Sequence, residues 1–238
     1  MTFRYLTLAT GFSALMFGCA ADPGTQPHDM SAAQHEAMAK QEESAGDMHA
    51  EQHDPNAKAV DQRCAGKGGC WTSVSNPTAQ HGEDAEKHRE LAKKHRAASQ
   101  ALVSAEASAC VGISDDDRDI SPFYHREDIE SVAPYTENVK SGKGSVAKVV
   151  GSTVVFRAVP GMTAEWLQRV VDCHLARAAA MGHNMPEMDY CPLELKGVKA
   201  KVTSAGNGFA VHVSADDEAT VAEIRKRAEA LKGSVAAN

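Results

Sequence analysis

The chain has 238 residues, with 25 Lys and Arg against 32 Asp and Glu and a formal net charge of −7. That balance argues against nucleic acid as a partner, because a phosphate backbone is held by cationic surfaces. Aromatic residues make up only 5% of the sequence, which argues against a large dense core.

The chain opens MTFRYLTLATGFSALMFGCAAD, with one cation, Arg4, ahead of an apolar run from Tyr5 to Phe17. A run of about thirteen residues is too short for a permanent membrane-spanning helix and suits a signal-peptide core. Export is therefore expected, with residues 1–19 as the signal peptide. Met16-Phe17-Gly18-Cys19 resembles the lipobox of bacterial lipoproteins, in which cleavage precedes the cysteine and the thiol is lipidated. The resemblance covers the leader only, and Leu15 stands one place too early for the pattern. It implies a lipid on Cys19, a membrane anchor and a place in the cell envelope facing the periplasm. Cleavage after Ala20 or Ala21 would instead release a secreted soluble protein.

Residues 20–80 are rich in Ala, Asp, Glu, Gln and His and poor in branched apolar residues, so a disordered tether is expected. A helical segment, 81–140, follows. Its main helix is read over 83–110, on the stripe His88, Leu91, His95, Ala98, Leu102, Ala105 and Ala109. Ser121 and Pro122 open a short second helix, and ENVKSGKGSVAK reads as a polar linker.

A compact domain is expected over 148–238. VVGSTVVFRAV is dense in β-branched residues and predicts a strand. A helix capped by Thr163 and stopped at Gly182 follows, then a hairpin around Gly206-Asn207-Gly208, then a last helix over DDEATVAEIRKRAEALK. The fold class is α+β: a small antiparallel sheet in the order β-α-β-β-α, with helices on one face. That order resembles the ferredoxin-like fold of heavy-metal-associated domains, in topology alone. The M-x-C-x-x-C metal loop of that family is absent, and so is a clear final strand.

One stretch concentrates donor atoms: CHLARAAAMGHNMPEMDYC, from Cys173 to Cys191. Met181, His183, Met185 and Met188 follow the helix, and His174 lies on its apolar face with Leu167 and Val171. Thioether sulfur with neutral imidazole suits copper, whereas hard cations want oxygen. The competing reading is packing, since Met181 falls on a helical stripe and methionine fills gaps.

Beyond Cys19 there are five cysteines, so disulfides leave at least one thiol over. Chain length allows Cys173 to pair with Cys191, and Cys64 with Cys70 across a glycine-rich turn, leaving Cys110. His81, His88 and His95 recur at heptad spacing, about 10.5 Å apart along a helix, so each needs a partner from another element to hold an ion. In the tether, His28, Met30, His35, Met38, Met48, His49 and His53 could capture copper weakly, or the segment is a solubilising spacer. The run Asp115, Asp116, Asp117 and Asp119 lacks calcium-loop spacing. Neither G-x-S-x-G nor a phosphate-binding G-x-x-x-x-G-K-[ST] occurs, and the protein is not expected to be an enzyme. The expectation is an exported, lipid-anchored envelope protein that handles copper through the Met/His loop. The alternative is a disulfide-stapled structural module that docks an envelope partner protein.

Overall fold

A computed structural model describes residues 22–142 and 144–232 of the chain. The expected signal peptide, residues 1–19, and the expected lipidation site Cys19 lie outside the described residues. No described helix is long and apolar enough to cross a membrane.

Two long helices form an antiparallel hairpin: α1, Ala32–Gln52, and α2, Ala79–Ala109. Ser31 starts α1, its Oγ accepting the Gln34 N–H at 3.1 Å while Gln34 Oε1 accepts the Ser31 N–H at 2.9 Å. This reciprocal cap satisfies two helix-end donors. Between the helices, β1, Ala59–Cys64, pairs antiparallel with β2, Cys70–Ser75, and a Cys64–Cys70 disulfide closes the tip. The hairpin is exposed along both strands, with Val60, Trp71 and Val74 open to water.

These elements correct the expected disordered tether over 20–80. Segment α1 has no large apolar stripe, so its own residues give no sign of burial. Its order comes from α2, which receives Ala39, Gly46 and His35 as buried positions. Tertiary contact supplies what composition lacked.

After the short helix α3, Asp115–Asp119, the chain builds a four-stranded antiparallel sheet from β3, Ile129–Ser141; β4, Gly144–Phe156; β5, Lys199–Ala205; and β6, Gly208–Ser214. Their order across the sheet is β3-β4-β6-β5. Helices α4, Ala164–Ala180, and α5, Glu218–Lys232, pack against it. The β-α-β-β-α order read from the sequence is present as β4-α4-β5-β6-α5, so the fold class stands. Thr163 caps α4 as expected, its hydroxyl accepting the Trp166 N–H at 3.1 Å. The turn Gly206-Asn207 joins β5 to β6.

Strand β3 is the departure. The sequence reading put a short helix and a polar linker across 121–147, and started the domain at 148. Instead the sheet begins at Ile129, and the Gly/Ser/Lys stretch forms the far end of the β3–β4 hairpin. Strand β3 contains Pro134, which is tolerated because β3 lies at the sheet edge, where a missing N–H costs no ladder bond on the open side.

The core lies between sheet and helices. Val154, Phe156, Val211 and Val213 meet Leu167, Val171 and Ala178 of α4 and Ile224, Ala228 and Leu231 of α5. Phe123 stacks on Phe156, ring centroids 5.8 Å apart. Strands β4 and β6 approach so closely at Gly151 that a Cβ there would lie 1.8 Å from the Val213 carbonyl oxygen. Only glycine fits.

A second disulfide joins Cys110, at the end of α2, to Cys173 of α4. This corrects the expected Cys173–Cys191 bridge and moves the odd thiol from Cys110 to Cys191, which is buried. The loop is long enough for the bridge that was expected, but helix geometry decides otherwise. Successive helical residues point about 100° apart. His174 takes the direction of Cys191, its Nε2 3.8 Å from the sulfur, while Cys173 faces α2.

Candidate metal centre

The Met/His loop places its donors in different surroundings. Met185 is 1% exposed and Met188 5%, both within the hydrophobic core, whereas Met181 is 41% exposed. Buried thioethers packed on Val, Leu and Ile are core filler. His183 sits at φ 57° just past the helix end and faces a separate cavity with His28 and Asp172. Burial pushes its imidazole below the ordinary histidine range, against the opposing pull of the Glu194 carbonyl.

What organises this loop is Glu194, which sequence inspection missed. Its backbone carbonyl accepts from His183 Nδ1 at 2.6 Å, and its carboxylate accepts the Met185 N–H at 2.6 Å. Arg227 of α5 completes the arrangement, donating to Glu194 Oε2 at 3.1 Å and to the Cys191 carbonyl at 3.0 Å. A buried carboxylate that lost this guanidinium would be left uncompensated, at a cost of about 3–5 kcal/mol. No isolated motif announces Glu194; its role depends on Arg227, 33 residues downstream within the same domain.

His174 and Cys191 form a second donor pair inside the core. Burial pushes the imidazole down to about 4, helped by the nearby Arg177 charge, and pushes the thiol up to about 11. Both are therefore neutral near pH 7. A nucleophilic cysteine needs the opposite arrangement, thiolate beside imidazolium. The Ser121 hydroxyl donates to the sulfur at 3.1 Å, and His174 Nδ1 has no hydrogen-bond partner. This pair is packed, not poised. His212 is held on the sheet's other face, between Thr153 and Thr203 hydroxyls at 2.9 Å each, with burial lowering its pKa.

The donor groups that do converge lie between α1 and α2. His35, Glu42 and His49 recur every seven residues along α1, and His95, His88 and His81 face them in that order along α2. His35 Nδ1 lies 3.0 Å from His95 Nδ1, and His49 Nδ1 lies 3.2 Å from His81 Nδ1. In the middle layer His88 Nδ1 donates to Glu42 Oε2 at 2.6 Å, and the His88 ring stacks on His49 with centroids 5.4 Å apart. The partners that His81, His88 and His95 needed thus come from the segment expected to be tether.

Small residues make this approach possible. Ala39, Gly46, Ala85 and Ala92 are buried between the polar layers. A Cβ on Gly46 would stand 3.2 Å from the Ala85 carbonyl oxygen and 3.4 Å from His88 Cβ. A side chain here requires the facing helix to give by a few tenths of an ångström.

The tautomers follow from the carbonyls. His35 Nε2 lies 3.0 Å from the Gln26 carbonyl and 3.3 Å from that of Pro27, so Nε2 carries the proton. In the neutral ring Nδ1 then holds a lone pair, aimed at His95. His88 likewise commits Nδ1–H to Glu42, the carboxylate–imidazole arrangement that orients ligand histidines. The outer pairs differ in access: His35 and His95 are buried, while His49 and His81 are half-buried.

Comparison of the chain with protein-family models, with curated proteins and with solved structures returns no match.

Geometry tests the ladder as a ligand set. Two nitrogens bonded to one ion at about 2.0–2.1 Å lie about 2.9 Å apart in cis positions of a square plane and about 3.4 Å apart at a tetrahedral angle. The separations of 3.0 and 3.2 Å fall in that interval. Among the described residues, no group of three or more His, Cys, Asp or Glu is gathered to hold an ion. Each imidazole pair therefore offers two protein ligands and leaves the others to solvent or a second molecule.

Proposed function

We propose that this is an exported, lipid-anchored cell-envelope protein that binds copper, with its ligands in the helical hairpin instead of the Met/His loop. The observation that carries the reading is the 3.2 Å approach of His49 Nδ1 to His81 Nδ1 at a half-buried position. Imidazole is a good copper ligand, and an incompletely filled coordination sphere suits an ion that is to be passed on. His88 stacked on His49 and anchored by Glu42 holds the ring in place. Burial of Met185 and Met188 and the engagement of His183 Nδ1 with the Glu194 carbonyl favour the hairpin over the loop.

A second reading, a module that docks an envelope partner protein, draws on the exposed β1–β2 finger with Val60, Trp71 and Val74 uncovered. One experiment addresses both. The mature chain is titrated with copper against a competing chelator, as wild type, His49→Ala, His81→Ala, and His183→Ala with Met185→Ala. The copper reading expects at least about tenfold weaker binding in the first two variants and none in the loop variant. Affinity indifferent to His49 and His81 would remove the hairpin site. A partner retained on the metal-stripped protein and lost with Trp71→Ala is the outcome of the second reading.

A further inference from the structure

The end of the sheet farthest from the β3–β4 turn carries a cavity of about 330 Å³ between α3, the 120–128 segment, the end of β4 and the first turns of α4. We infer that it binds a small organic ammonium ion carried on an apolar body. This cavity shares no residue with the proposed copper ligands.

Three features set the ligand class. The first is the apolar wall. Phe156 and Leu167 form a buried floor, while Met162 and Trp166, both half-buried, keep one side uncovered toward the cavity. Apolar walls with a few polar groups are the usual make-up of a small-molecule site, and this volume falls at the small end of their range. It matches one ring or a short branched chain, not a peptide.

The second feature is charge. Asp117 and Asp128 line the cavity, with His125 at its rim, and no Lys or Arg is among the lining residues. The cations nearby are directed elsewhere. Arg118 pairs with Asp115 and Asp119, and Arg177 with Glu106 and Asp119. Arg157 is the exception: it forms an ion pair with Asp128 at 3.8 Å, although it lines a different cavity beside the β5–β6 turn. Asp117 uses one oxygen to accept the Ser114 hydroxyl at 2.6 Å, which fixes the carboxylate's direction. His125 is tied to Glu127 at 3.1 Å. An anion would meet two carboxylates here with no cation in the wall, whereas an ammonium gains charge-assisted hydrogen bonds.

The third feature is the indole. A cation over a tryptophan face is attracted by the ring's quadrupole, and this pairing recurs at sites for alkylammonium ligands. Trp166, in the first turn of α4, lines the cavity and supplies the ring.

The test uses the full disulfide-bonded chain with Trp71→Phe, which leaves Trp166 as its one tryptophan. Fluorescence is followed during titration with phenethylammonium, and in parallel with 2-phenylethanol and phenylacetate as neutral and anionic counterparts of similar size. The expected result is a saturable change with the ammonium alone. Asp128→Asn and Asp117→Asn should each weaken it about tenfold, with thermal unfolding by circular dichroism confirming that both variants fold. Equal response to the neutral or anionic probe, no saturable response to the ammonium, or unchanged affinity in both folded variants would overturn the inference. Stripping copper should leave the titration unaltered.

Discussion

His174 enters the core as a neutral imidazole, and that makes one residue a source of acid sensitivity. Its folded pKa of about 4 lies below that of an exposed histidine, about 6.5. Between those values the unfolded chain binds a proton that the folded chain refuses, so stability rises with pH across that interval. The contribution is fully present above about pH 6.5, is lost progressively as pH falls to about 4, and amounts to about 3 kcal/mol. Burial lowers His183 and His212 as well, and both act in the same direction. Urea midpoints measured from pH 7 to pH 4 are expected to fall, and to fall less steeply in His174→Gln. An unchanged slope in that variant would assign the acid sensitivity to other groups. At this scale the sequence was partly readable: the apolar stripe placed His174 inside, but its unpaired Nδ1 and its neighbour Cys191 became visible only in three dimensions.

The helical hairpin is the element on which the copper reading depends, and its interface is unusual in composition. Its buried positions over the ladder are Ala, Gly and His, so little apolar area is removed from water per turn, and close backbone approach takes its place. Gly46 is a point of close backbone approach. Gly46→Leu is expected to push α1 off α2 at this layer and to weaken copper binding about as much as loss of His49, although no ligand is altered. Limited proteolysis within residues 32–58 should accelerate in the same variant. Faster cleavage with unchanged copper affinity would place the ligands on one helix alone. Half of this element was legible. The heptad of His81, His88 and His95 could be read directly, but the matching heptad of His35, Glu42 and His49 carried no apolar stripe to mark it as helix.

At the scale of the molecule, the Cys110–Cys173 bridge ties the helical hairpin to the sheet domain across a separation of 63 residues. Closing a loop of that size removes unfolded-state entropy equivalent to about 4 kcal/mol. Cys110→Ser with Cys173→Ser is therefore expected to lower stability by about that amount, seen as a lower denaturation midpoint. Cys64→Ser with Cys70→Ser should change it by about 2 kcal/mol at most, since that loop is short and its hairpin is exposed. Comparable losses from the two pairs would mean that the tip hairpin stabilises more than its exposure indicates. Arg177 reinforces the junction, bonding Glu106 of α2 at 3.2 Å and Asp119 of α3 at 3.1 Å.

By itself the sequence determined the local elements whose signal lies within a few residues. These are the long helix α2, the Thr163-capped α4, the β5–β6 hairpin around Gly206-Asn207, the last helix, and the short Cys64–Cys70 bridge. Period, cap and turn chemistry act over one or two turns of chain, so they survive without a partner. Tertiary structure decided the rest: that α1 folds, that β3 joins the sheet as an edge, that Cys173 chooses Cys110, and that Met185 and Met188 go inward. In each case the deciding contact comes from residues far away in the chain. A helix without a stripe, a strand containing proline and a cysteine facing one of two directions are all ambiguous until the opposing surface is in place.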